Sequence, residues 1–102
     1  MAIDLFFYVT SRPDKTDELL KPIRYAHPEL FSEKFIIYGA RDVDDVAKEI
    51  ALEHGLNACS TFMASLNDKS AAALVLDVAN ILKSAFGSGN VIAMRGGVDG
   101  LI

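Results

Sequence analysis

The chain has 102 residues, 51% hydrophobic and 24% charged, proportions that give no sign of disorder and fit one globular domain over residues 1–102. A net charge of −4 argues against direct nucleic-acid binding, because phosphate contacts require a basic face. The single cysteine rules out an internal disulfide and fits a reducing compartment.

Ile3 to Thr10 predicts the first strand, with Ile3, Leu5, Phe7 and Val9 on one face and Phe6 and Tyr8 on the other. Apolar residues on both faces indicate a strand covered on both sides. The same opening lacks a basic region and carries Asp4 within its apolar run, so it does not read as a signal peptide. The expected address is therefore the cytosol. Ser11-Arg12-Pro13-Asp14 starts a helix, and Asp14, Asp17 and Glu18 suit the positive end of its dipole. That helix is expected from about Lys15 to Ala26, kinked near Pro22, followed by a separate turn through Pro28 to Phe31.

Lys34 to Ala40 predicts the second strand, with Phe35-Ile36-Ile37-Tyr38 again apolar on both faces and Gly39 permitting a tight exit. Asp42 is the expected N-cap of the next helix, whose apolar stripe is Val43, Val46, Ala47, Ile50 and Ala51; Gly55 stops it. Ala58 to Leu66 reads as a buried strand. Asn67-Asp68-Lys69-Ser70 then caps the longest helical pattern, Ala71 to Phe86, ended by Gly87. This helix is apolar around most of its circumference, so it is expected to lie on the sheet, touch a second helix and not stand at a surface with one face buried. It carries Asp77 and Lys83 and is too short for a membrane span. Val91 to Arg95 is the last good strand, and Gly96-Gly97 has the chemistry of a hairpin turn that returns Val98 to Ile102 as an edge strand. The fold class is α/β: a mixed four- to five-stranded sheet with three main helices in βαβαβαβ order, its crossovers long enough for parallel pairing.

No catalytic constellation emerges. Gly87-Ser88-Gly89 precedes a strand rather than a helix, which rejects it as a dinucleotide loop. His27 and His54 lack ligand-like neighbours, so no metal or cofactor site is expected. Cys59 and His54 would make a thiolate–imidazolium pair only if Cys59 were accessible; Cys59 reads instead as a small buried apolar group and His54 as a helix-end residue. Asp45, Glu49 and Glu53 fall at successive four-residue intervals, with Asp44 widening the patch and Arg41 and Lys48 partly neutralising it. Like charges at that spacing cost a few tenths of a kcal/mol per pair. The row reads either as a solvated face or as a negative surface for a cationic partner.

Three stretches carry a resemblance: Ala2-Ile3-Asp4-Leu5-Phe6; Lys48-Glu49-Ile50-Ala51 leading to Glu53-His54-Gly55-Leu56; and Ser65-Leu66-Asn67-Asp68-Lys69. They resemble segments of immunity proteins from bacterial contact-dependent growth inhibition systems, the CdiI type, in a spaced similarity over most of the chain. The resemblance implies a protein that binds the C-terminal toxin domain of a delivered effector inside the cell and covers its active site. In similar members that toxin is a nuclease attacking transfer RNA, with a restriction-endonuclease-like fold. A nuclease cleft is basic, so an acidic inhibitor suits it. Asp42, Asp44, Asp45 and Glu49 are then the candidate toxin-binding residues, with Tyr38 either an aromatic anchor or a core residue. The alternative function is a small ligand-binding regulatory domain with a pocket near Gly39-Ala40 or Ser65-Leu66-Asn67.

Overall fold

The computed structural model describes residues 3–96 and 100–102. Strand β1 (Asp4–Val9) lies inside the sheet, paired antiparallel with β4 (Ser60–Leu66) on one side and β5 (Val91–Arg95) on the other. The far side of β4 carries β2 (Phe35–Ile37) and, further along, the two-residue β3 (Arg41–Asp42), giving the order β2-β4-β1-β5. The helices are α1 (Pro13–Ala26), α2 (Pro28–Phe31), α3 (Asp45–Glu53) and α4 (Val75–Ser84), the last preceded by a 3₁₀ segment from Lys69 to Leu74.

The fold is α/β, as the two periodicities in the sequence require, but every ladder among the described residues is antiparallel. The long crossovers do join parallel strands; those strands are never neighbours. β4 fills the gap between β1 and β2, and β1 fills the gap between β4 and β5. Two split β-α-β units therefore interlock in the ferredoxin-like pattern, with β3 and α3 inserted between the units. Interlocking replaces parallel pairs with antiparallel ones, which are slightly more stable per residue.

Helices α1, α2 and α4 contribute to one core with the first face of the sheet. It includes Leu5, Phe7 and Val9 from β1, Phe62 and Ala64 from β4, Leu20 from α1 and Val78 and Leu82 from α4. The Phe7 and Phe62 rings stack at 4.5 Å, and Phe86 lies 5.8 Å from Phe62. Where α1 meets β4, the hydroxyls of Ser11, Thr16 and Ser60 form a chain with two links of 2.6 Å, so the buried Thr16 and Ser60 are both satisfied.

Several local expectations are revised. The third helix starts at Asp45, because Asp42 is taken by β3 and the capping carboxylate is Asp44, which accepts from the Ala47 amide at 2.7 Å. The long C-terminal helix opens in 3₁₀ form, where Asp68 caps through its side chain to Ser70 and its carbonyl accepts from Ala71. This helix also buries only one face: Val75, Val78, Ala79 and Leu82 pack inward while Leu76 is 62% exposed beside Asp77 and Asn80. Cys59 is exposed rather than buried, although its neighbours are both buried, Ala58 with Tyr8 and Ser60 against Thr16. The chain does return along β5, bridging Met94 to Leu101 and donating from the Ile102 amide to the Ala93 carbonyl. The second glycine of the Gly96-Gly97 turn, with Val98 and Asp99, lies outside the described residues.

Candidate functional site

The second face of the sheet is covered over only part of its area. Tyr8 packs there with Ala51, Leu56 and Ala58, and Phe6, Ile92 and Met94 are partly buried against the same group. Toward β2 the cover ends, leaving Ile36 exposed and Tyr38 46% exposed.

The backbone between β2 and β3 decides what this open part presents. Ile37 lies opposite Ala64 and Arg41 opposite Thr61, so Tyr38, Gly39 and Ala40 span only Met63 and Phe62. One extra residue on this strand is a β-bulge. The Tyr38 amide keeps the ladder bond to the Met63 carbonyl at 2.9 Å, while the Ala40 amide donates to the Asp17 carboxylate of α1 at 2.8 Å. Arg24 of α1 holds the same segment by donating to the Ile37 carbonyl at 3.2 Å. Residues three apart on a regular strand point to opposite faces. The bulge cancels that alternation, so Tyr38 opposite Met63 and Arg41 opposite Thr61 lie on one face with Phe6 and Tyr8. Phe6, Tyr38, Gly39, Arg41, Thr61 and Met63 line a cleft of about 360 Å³ there. Across the Gly39 ridge, Asp17, Lys21, Arg24, Tyr25 and Ile37 border a second hollow of about 520 Å³.

Helix α3 turns Ala47, Ile50 and Ala51 toward the sheet and exposes Asp45, Glu49 and Glu53, as the periodicity predicts. Val46, placed in the apolar stripe from its spacing, is 66% exposed, and Leu52 is 54% exposed. The outer face is thus acidic with two apolar residues set into it. Among the described residues Lys15 pairs with Glu18 and His27 would pair with Glu29 only when protonated, and none of the α3 carboxylates is in an ion pair; exposed Lys48 is the one cation on that helix.

The candidate residues do not form one patch. Tyr38 is on the open face of the sheet and not in the core. Asp45 and Glu49 are on the outer side of α3. Asp44 is committed as the helix cap, and its negative charge, after burial as the main cause, pushes the Tyr8 phenol above its ordinary value of 10.0. Asp42 pairs with Ser60 and so takes the opposite side of the β3 ladder from Arg41. Arg41 was legible only as a partial neutraliser of the acidic stretch; its place in the cleft depends on the bulge. Cys59 and His54 are both exposed, and among the described residues no three His, Cys, Asp or Glu side chains are grouped to hold a metal. No helix is long and apolar enough to cross a membrane among the described residues.

These features define a ferredoxin-like α/β domain whose partly open sheet face is bordered by an acidic helix. The chain belongs to the family described as CDI System Immunity Component, which matches residues 1–99. It is 45% identical over 95 residues to the immunity protein CdiI-2 of Burkholderia pseudomallei strain 1026b, covering 93% of this chain and 94% of that relative. It is also similar to a chain in the solved CdiA-CT/CdiI toxin and immunity complex from Burkholderia pseudomallei. There the TM-score is 0.87 at 44% identity, over 91% of this chain and 90% of that one.

Proposed function

We propose that this chain, acting as one domain, neutralises a cognate toxin domain inside the cell by binding it and covering its active site, without chemistry of its own. The observation that carries this reading is the row of exposed carboxylates on α3, Asp45, Glu49 and Glu53, in no ion pair among the described residues, together with the open Tyr38 cleft in a chain of the immunity family. The toxin is a nuclease acting on transfer RNA. Such an enzyme must attract phosphate, so its cleft is basic and an acidic helix with exposed Val46 and Leu52 can occupy it in place of the substrate. Asp45 and Glu49 make direct contact, Asp42 and Asp44 add to the field, and Tyr38 supplies a rigid aromatic anchor of the kind enriched at binding hot spots. A stable complex of this sort buries on the order of 1,600 Å² in total, more than α3 alone offers, so the open sheet face belongs to the interface.

The test is co-expression with the C-terminal domain of the effector encoded beside this chain, followed by pull-down. Growth should be rescued and transfer RNA left intact, and the two chains should co-purify. Absence of binding would end the proposal, and rescue with the toxin still cleaving transfer RNA would remove the active-site part of it.

A further inference from the structure

We propose that the cleft between Tyr38 and Arg41 is a specificity pocket that receives a carboxylate side chain of the partner. This rests on the binding reading above and adds the opposite sign of charge at its centre. Arg41 is an exposed cation flanked in sequence by Asp42, Asp44 and Asp45, yet among the described residues it makes no ion pair and its side chain no hydrogen bond. Its backbone is fixed opposite Thr61 by the β3 ladder, and the preceding bulge puts it on the cleft side of the sheet. The walls beside it are Phe6, Met63 and the Tyr38 ring, with Thr61 donating its hydroxyl hydrogen to the Phe7 carbonyl at 2.8 Å.

An arginine pressed against a basic surface is repulsive unless it meets an anion there. Apolar walls exclude water and strengthen whichever interaction forms. A guanidinium is suited to hold a carboxylate by two parallel hydrogen bonds, which fixes geometry as well as charge. The partner is therefore basic where it meets α3 and bears an acidic side chain where it meets the cleft. A patch of one sign would attract any basic protein. An embedded opposite charge rejects those without the matching carboxylate.

The experiment measures binding of the effector's catalytically inactivated C-terminal domain to the wild type, Arg41→Ala, Arg41→Lys and Asp45→Lys/Glu49→Lys. Each is combined with a scan of that domain's acidic residues to Ala. Arg41→Ala should weaken Kd at least tenfold, chiefly through faster dissociation, with Arg41→Lys in between and thermal stability near wild type. One acidic residue of the partner should couple to Arg41, so that the double variant binds no worse than either single one. If Arg41→Ala binds like the wild type while the α3 reversal weakens binding, the pocket is refuted and the acidic face stands. If Arg41→Ala weakens binding but no partner carboxylate couples to it, the assigned occupant is wrong. If the wild type itself does not bind, both proposals fall together.

Discussion

The two faces of the sheet are built from the same strands and put to opposite uses. On the first face, residues of α1, α2 and α4 close over Leu5, Phe7, Phe62 and Ala64, and even the polar Thr16 and Ser60 are bonded to each other. On the second face, one nine-residue helix covers part of the area and leaves Ile36, Tyr38 and Arg41 exposed. Alternation along each strand makes this division possible, because a side chain can be committed to recognition while its neighbours hold the core. Changes on the first face should cost stability, and changes on the second should cost binding.

The largest expected effect is on the closed face. Phe62→Ala removes a ring stacked on Phe7 and touching the Phe86 side, and should destabilise by about 3–5 kcal/mol in denaturant unfolding. Tyr38→Ala, opposite Met63 on the other face, should leave stability within about 0.5 kcal/mol while weakening toxin binding by about 2 kcal/mol in calorimetry. Equal stability losses in the two variants would erase the distinction between the faces.

Asp17→Ala joins the two regions. It removes the carboxylate that satisfies the Ala40 amide, so it should cost about 1.5–3 kcal/mol of stability and release the bulge that aims Arg41. Amide exchange at Ala40 should rise before that of β1. A smaller effect belongs to Asp44→Ala, which removes the α3 cap and should cost about 1 kcal/mol. Asp44→Asn should restore most of that stability while leaving the loss of field at the acidic face.

Smallest is the alkaline response of Tyr8. Its folded value lies above the unfolded one, so the unfolded chain loses this proton first and stability falls as pH rises past about 10. Below that pH both states hold the proton and the contribution is flat. Tyr8→Phe should flatten the loss in urea titrations between neutral and strongly alkaline pH; an unchanged slope would assign it to other groups.

Much of the closed face was legible because its signals are local. The two-sided apolar run of β1 and the Val91–Arg95 strand follow from periodicity, whereas the last long helix does meet the sheet and a second helix but with one face buried, not through the all-round apolar surface expected of it. The exposed acidic row of α3 was legible for the same reason. The open face was not, because its decisive feature is a count across two strands: three residues from Tyr38 to Ala40 opposite two of β4. Gly39 marked a break but did not say which way Arg41 would face afterwards. Asp17 looked fully explained by the helix dipole, and nothing local linked it to an amide twenty-three residues on. Asp42 was the expected cap, and only the β3 pairing, which takes Asp42 into a strand, moves the capping role to Asp44. Cys59 stands just before β4 and is exposed, which the general burial tendency of cysteine does not report.

The most direct measurement is the association rate with the effector's C-terminal domain as a function of ionic strength, for the wild type and for Asp45→Lys/Glu49→Lys. The wild-type rate should fall steeply as salt shortens the screening length, and the reversed variant should associate at least tenfold more slowly at low salt with a flatter dependence. Identical rates and identical salt slopes for the two proteins would contradict recognition through the acidic helix.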